Sequence, residues 1–567
     1  MGRTGADRAV RRVPWFLWFS GLVSLLAAAL ILYPLVTVVW REIVKGDSSL
    51  TSLAAEAVAS GIGGVIRDTI WIVGTAILIA TVVGAIFAWL VERTDIGMQG
   101  LARFLPLIPL FVPAIAGAIG WVLLASPRTG FLNRWFQDAL ALLGIDAGGP
   151  PINIYSASGL IFVFAIYLIP NIFMTVSSHL RNLDPALEEA ARMSGAGVIR
   201  TLIHVTLPSV APAAYTGMLL ALIMGLSLFS LPVVIGTPAR IELLSVRIVN
   251  LMIASYPPKT SMALLLAGLL VVMISLASWA QLRVLRRGNF ATIGGKGGAG
   301  NSVSLGILKW PARALFIAYM LASTVLPFLA LVVVSLQPFW TPVINIDRLR
   351  LVHYHTIFVD SDLARHAVLN SLLLGITGAA ASMLIACLIA YYIGQRRGSL
   401  SGTALDILTK APGAVSHLVI GIAFIVAFSG PPFNLYGTTT ILFLAYIVLY
   451  IPQATLSASA ALHQVGSQLT EAALMSGASP GRAYLRIALP LMLPGLIAGW
   501  TLLFVLISGD ITASAMLAGN RNPVVGFVIL DIWSGGSFPQ LATLGTVMTL
   551  VSSVVVLVSM RLGRPMR

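Results

Sequence analysis

Few residues of this chain can do chemistry: there are 20 Asp and Glu among its 567 residues. Three groupings have a spacing that carries information. Glu189 and Glu471 open two near-copies of one segment, EAARMSGAGVIRTLIHVTLP at 189–208 and EAALMSGASPGRAYLRIALP at 471–490. Ten of the twenty positions are identical, without a gap, at an offset of 282. Asp510 lies late in the apolar run FVLISGDITASAML. An acid there either faces a polar path with Ser508, Thr512 and Ser514 or caps a helix break, and both readings stand open. The equivalent first-half position is Leu228, so a path lining would be asymmetric, with Ser227, Phe229 and Ser230 as the corresponding candidates. His353-Tyr354-His355 has the residue types of an iron site, but it falls in a loop before an apolar run. His179, His204, His417 and His463 show no ligand spacing. No metal site and no catalytic residue is expected. The GGKGG at 294–298 lacks the Ser or Thr that must follow Gly-Lys in a phosphate loop, and no such sequence occurs elsewhere in the chain.

The frame that positions these residues must be a membrane one. The composition is 58% hydrophobic and 10% charged, with mean hydropathy +0.95, whereas soluble domains carry about 25% charged residues. A bilayer crossing needs ~20 mostly apolar residues. Twelve such runs are present, at 14–40, 69–91, 104–125, 156–178, 209–236, 260–282, 314–337, 370–394, 411–428, 437–460, 491–518 and 540–560. Hydrocarbon offers the backbone no hydrogen-bond partners, so each run is expected to be a helix, which makes the chain an all-α multi-pass membrane protein. Arg11-Arg12 ahead of the first run resembles a secretory signal, but Val13–Trp40 is longer than a signal's apolar core, and a retained helix is expected.

With an even number of spans both termini share one side. Alternate loops then place 23 Lys and Arg with 8 Asp and Glu on the terminal side, against 12 and 12 on the other, so the whole formal +15 sits on one face. The excess of basic residues marks that face as cytoplasmic, in contact with anionic lipid and not with nucleic acid. Cys387, the single cysteine, rules out an intrachain disulfide and reads as a small buried hydrophobe.

The offset of 282 also pairs Pro170 with Pro452, Pro212 with Pro494, Gly217 with Gly499 and Ser255 with Ser537. The chain is therefore one six-span unit written twice, with equivalent spans running in the same direction. Residues 1–286 form the first repeat, 287–308 a Gly- and Ser-rich cytoplasmic linker, and 309–567 the second repeat. Each copy of the Glu-Ala-Ala segment falls between the fourth and fifth span of its half. The local pattern is helix, glycine break, helix. Asp184-Pro185 supplies a cap and a first-turn proline, and Glu188 and Glu189 suit the helix's positive end. Gly195 and Gly477 end the first helix of each copy with positive φ, and a second short helix is expected to run to Pro208 or Pro490, where the next span begins. Such an element is a rigid knob for another protein's groove.

The pattern E-A-A, three residues, glycine, nine residues, an aliphatic, one residue and L-P resembles the EAA loop of binding-protein-dependent ABC transporter permeases of the type I importer kind. Glu189, Ala190, Ala191, Gly195, Leu207 and Pro208 match it, with Val205 at the aliphatic position, as do Glu471, Ala472, Ala473, Gly477, Ile487, Leu489 and Pro490. The stretches 231–263, 349–374 and 509–532 extend the likeness over most of both halves. The resemblance implies a type I importer permease fold and two coupling helices, each inserting into one subunit of an ATPase dimer. It implies a periplasmic or lipid-anchored solute-binding protein outside, location in a bacterial inner membrane with both termini cytoplasmic, and no cofactor in this chain, since ATP and Mg are bound by the partner ATPase. Fused two-repeat permeases of this length look most like the ferric-iron group, with thiamine and 2-aminoethylphosphonate permeases close in design. The rival class is an ion-coupled secondary transporter with parallel repeats. The twin loops and the near absence of charge within the spans weigh against it, and a membrane enzyme would need a polar cluster that the spans lack.

Overall fold

The computed structural model describes residues 15–41, 50–97, 99–145, 149–287, 303–396, 398–465 and 467–562. Among these, helices account for the regular structure, and the sole strand-like pairing is an isolated parallel bridge between Thr94 and Val303. Ten helices are long and apolar enough to cross a membrane, or twelve if two bent pairs each count as one span. We number the spans and the helices discussed below α1 (Trp15–Val39), α2 (Ile62–Arg93), α3 (Ala114–Ala125), α4 (Ala157–Asn182), α5 (Ala186–Met193), α6 (Val198–Ser227), α7 (Thr260–Gln281), α8 (Gly306–Leu336), α9 (Asp362–Gln395), α10 (His417–Phe428), α11 (Thr439–Gln464), α12 (Ser467–Met475), α13 (Pro480–Ser508) and α14 (Phe538–Arg561). All twelve apolar runs of the sequence are represented.

The expected boundaries move in three ways, each in both halves. The third span of each half is a bent pair: Gly100–Leu110 meets α3 at 90°, and Leu400–Gly413 meets α10 at 102°. Pro106, Pro109 and Pro113 lie at the first bend and Pro412 precedes the second, where missing N–H groups and ring clashes break a helix. The fifth and eleventh runs stop at Ser227 and Ser508, and their tails fold as separate short turns, Pro232–Gly236 and Ser514–Leu517. The second helix of each Glu-Ala-Ala segment is not a separate piece. It runs unbroken into the span, and Pro208 and Pro490 lie inside α6 and α13. A widened π turn precedes each proline, at Leu202–Thr206 and Tyr484–Ala488, and such a turn absorbs the lost i→i−4 bond.

The halves are laced together by exchange of their first spans. Helix α1 buries one stripe, Phe16, Ser20, Ser24, Ala27, Ile31, Pro34 and Val38, at helical spacing, and lays it against α9 and α10 of the other half. In return α8 packs on α3 and α14. The approach of α8 to α3 is close enough that a Cβ on Gly120 would stand 2.6 Å from the Pro327 carbonyl oxygen, and Trp121 donates its indole N–H to the Ala322 carbonyl at 3.0 Å.

Of the linker, 288–302 lies outside the described residues. From Val303 onward the chain is clasped to the loop after α2. Asp95 accepts the Leu305 N–H at 2.9 Å and pairs with Lys309 at 3.4 Å, while Arg313 Nε donates to the Ile96 carbonyl at 2.9 Å. The Leu305 N–H, with Lys309 behind it, holds the Asp95 carboxyl below its usual range.

Candidate functional site

The two Glu-Ala-Ala segments fold into matching elements. Asp184 Oδ1 accepts the Ala186 N–H at 2.9 Å and starts α5. The helix ends at Gly195, φ +85°, where the Ala196 N–H bonds the Ala191 carbonyl and the Gly195 N–H bonds the Arg192 carbonyl. In the second copy α12 ends at Gly477, φ +84°, with the Ala478 N–H on Ala473 and the Gly477 N–H on Leu474. These crossed bonds define a Schellman stop, which needs a left-handed residue at the turn. Ser194 and Ser476 bond back to Ala190 and Ala472 in both copies, and Ser479 Oγ accepts the Arg482 N–H to start α13.

Each of these elements exposes its turn between the fourth and fifth span of its half. Glu189, Ala190, Glu471 and Ala472 are exposed, Ala191 and Ala473 are half-buried, and both glycines are exposed. Among the described residues neither Glu189 nor Glu471 makes an ion pair. Met193 is 89% and Met475 90% exposed, again at equivalent positions. A flexible thioether left in the open beside a free carboxylate suits a protein groove better than water. Leu207, Pro208, Leu489 and Pro490 are not part of the knob; they sit further along α6 and α13. The motif therefore divides between a projecting turn and the body of the span behind it.

Glu188, next to Glu189 in sequence, is 4% exposed and points the other way. It pairs with Arg93 at the end of α2 at 3.2 Å, accepts the Thr206 hydroxyl at 2.7 Å, and has Arg192 at 3.8 Å. Arg93 also donates to the Leu183 carbonyl at 3.1 Å. Its neighbour Glu92 accepts Ser177 Oγ at 2.7 Å and pairs with Arg103 at 3.0 Å. Removing one member of a buried ion pair strands the other, typically at a cost of about 3–5 kcal/mol. Sequence reasoning read Glu188 only as a favourable helix-end charge. The direction of its side chain follows from the one-residue step around the helix, but its partner lies 95 positions away and leaves no local signal.

The path candidates all lie at the breaks after α6 and α13, and all are buried: Ser227, Phe229 and Ser230 in the first half, Ser508, Asp510, Thr512 and Ser514 in the second. Asp510 Oδ2 accepts the N–H groups of Ala513 and Ser514 at 3.0 and 3.2 Å, and Tyr450 donates its hydroxyl to Oδ1 at 3.3 Å. His417 Nδ1 lies 3.9 Å from the same oxygen. The carboxylate thus closes the turn leading into Ser514–Leu517. In the first half Leu168 and Leu228 stand where Tyr450 and Asp510 stand in the second, so both members of the polar pair are absent there. Of the seven residues, Ser508 lines a small cavity between the halves, with Pro113, Ile115, Ile511 and Met548. His353 and Tyr354 are engaged singly, with the Gln337 carbonyl and Ser335 Oγ. No group of three or more metal-ligating side chains occurs among the described residues.

Both halves of the chain are similar to known proteins. The family model described as binding-protein-dependent transport system inner membrane component matches twice, at 80–288 and 382–564. The ferric transport system permease protein FbpB of Actinobacillus pleuropneumoniae is 23% identical over 540 residues, covering 94% of this chain and 76% of its own. A protein of Sinorhizobium fredii described as "Probable ABC transporter permease protein y4fN" is 24% identical and covers 98% of both chains. The spermidine/putrescine transport system permease protein PotB of Escherichia coli is 26% identical over 217 residues, which is 75% of its length and 37% of this one.

Proposed function

Starting from the fact that this chain belongs to the family of binding-protein-dependent transport system inner membrane components, as a fused two-repeat ABC permease, we propose that it is the gate of an ATP-driven importer whose two projecting helices each seat one subunit of a separate ATPase dimer. The observation that carries this reading is the duplication of one surface. Glu189 with Met193 and Glu471 with Met475 are presented on the same Schellman-terminated turn, in the same register. A homodimeric motor offers two equal grooves, and this chain offers two nearly equal knobs. Helix α5 carries two acids in its first turn, and an exposed carboxylate there can take a charge-assisted bond from the groove.

The knobs face the cytoplasm in this reading, because the basic excess lies on their side. A solute-binding protein delivers cargo at the opposite face. Ferric iron is the cargo we favour, since FbpB is named for ferric transport and aligns along nearly the whole chain. The binding protein would select the cargo, and thiamine or 2-aminoethylphosphonate would use the same machinery. Work comes from the partner: the chain has no Gly-Lys-Ser/Thr loop, and ATP and Mg belong to the ATPase.

The test is reconstitution. The purified chain should hydrolyse no ATP alone, and with its ATPase and binding protein in vesicles it should import ferric iron in an ATP-dependent manner. Hydrolysis that follows this polypeptide through purification, free of a second subunit, would sink the reading. Orientation is checked separately in a Cys387→Ser background. Cysteines placed in 288–302 should resist an impermeant thiol reagent in intact cells and react after lysis. Labelling without lysis would invert the topology.

A further inference from the structure

The two projecting helices are mounted differently among the described residues. Behind α5 stands a buried ionic latch: Glu188 on α5, Arg93 at the end of α2, Thr206 in the turn before Pro208, and Arg192. The side chains of Arg93 and Glu188 are 10% and 5% exposed. At the offset of 282, Glu188, Arg192 and Thr206 are replaced by Thr470, Leu474 and Ala488, and α9 ends on Gln395 where α2 ends on Arg93. Behind α12 lies an aromatic mount instead. Tyr484 donates to the Cys387 carbonyl at 2.9 Å and packs at a tilt 4.7 Å from Tyr391, and Phe16, brought across by α1, lies 4.9 Å from Tyr391. An ion pair with hydrogen bonds on both partners fixes distance and direction, whereas ring contacts with a single neutral hydrogen bond constrain direction less.

We propose that the Glu188–Arg93 latch is the rigid link through which movement of the first docking helix reaches α2, so that the two docking helices are not interchangeable. This rests on reading α5 and α12 as docking helices. Arg93 and Glu188 are positioning residues: they contact neither cargo nor, by their burial, the motor. A push on α5 acts on Glu188, which draws on Arg93 and through it on the last turn of α2. Without the latch, α5 can follow the motor while α2 stays behind.

The experiment uses the chain with its ATPase in nanodiscs, in a Cys387→Ser background with Ser508→Cys as a reporter at the cavity between the halves. The readout is the labelling rate of that cysteine by a small methanethiosulfonate, compared between ADP and vanadate-trapped ATP. The parent protein should show a change of several-fold. Glu188→Gln and Arg93→Gln should reduce it to less than twofold, with Thr206→Val intermediate should the first two assemble poorly. In a separate arm without the reporter, Arg93→Cys with Glu188→Cys should be uncoupled in transport per ATP. A short reversible bis-thiol cross-link between them should restore that ratio, and a reductant should abolish it again. A full nucleotide response in Glu188→Gln overturns the latch and leaves the docking assignment standing. So does a cross-link that leaves the ratio at its reduced value. If the parent complex itself shows no nucleotide response, the docking assignment falls and the latch with it.

Discussion

Gly195→Val and Gly477→Val should each lower uptake at least tenfold. Both glycines sit at φ near +85°, where a β-branched residue pays roughly 1–3 kcal/mol in backbone strain. A Cβ at either position meets no atom within 4 Å, so the loss would come from the turn alone and not from a clash. The chain relieves the strain by abandoning the left-handed conformation. That removes the crossed bonds from Ala196 or Ala478 and re-aims Glu189 with Met193, or Glu471 with Met475. Asn tolerates left-handed geometry better than other side chains, so Gly195→Asn is the control and should keep most activity. Glu189→Ala with Glu471→Ala attacks the same surface without touching its shape. A lost bond to a charged partner costs about 1.5–3 kcal/mol when the partner stays buried, so the double variant should lose uptake and ATPase co-purification while still reaching the membrane. Uptake, membrane level and co-purified ATPase are measured together. A double Glu variant that transports and holds its motor like the parent would remove the coupling assignment, and an effect confined to one copy would point to unequal docking.

Asp510→Leu should destabilise the second half severely, and Asp510→Asn should be close to neutral. The carboxylate satisfies the N–H groups of Ala513 and Ser514, which leucine would strand, while the Tyr450 hydroxyl keeps the Leu506 carbonyl as an acceptor at 3.2 Å. Buried donors without partners cost about 1–3 kcal/mol each. Asparagine keeps an acceptor at the same place and is as good at closing a turn. Thermal unfolding of the purified chain and uptake in cells separate the two roles left open by the sequence. Stable Asn protein with normal uptake makes Asp510 a cap. Stable Asn protein with lost uptake makes its charge part of the path.

The legible and illegible parts of this protein divide by range. Spans are legible because hydrocarbon forces the whole backbone into helix, and their number and order follow from apolar runs alone. The two Glu-Ala-Ala turns are legible because every determinant of a Schellman stop lies within a few residues of Gly195 and Gly477. The sequence misleads where one local signal competes with another. Leu207-Pro208 reads as a helix start, yet a π turn just before it lets the helix continue. The runs reaching 236 and 518 look continuous, but hydrogen bonds on Asp510 and Ser514 stop the second of them. Glu188–Arg93, His417 near Asp510 and the crossing of α1 involve partners 90 to 400 positions apart, and pairwise contacts at that range have no periodic trace in one sequence.

The crossing of α1 bears on how the protein is made. Its buried stripe of Phe16, Ser20, Ser24, Ala27 and Ile31 fits α9 and α10, and α9 begins 323 residues after α1 ends. At a ribosomal pace of ~5–20 residues per second, the first-born helix waits tens of seconds for the surface it was shaped to meet. It can afford the wait, because a helix in lipid has every backbone bond satisfied before it finds a neighbour. The order of synthesis is nonetheless the reverse of the order of completion: the amino-terminal half is finished only when the carboxyl-terminal half arrives to receive α1. A ribosome that stalls midway leaves an open seam, a stripe interrupted by Ser20, Ser24 and Ala27 and turned toward lipid, which a quality-control protease can recognise as unfinished work.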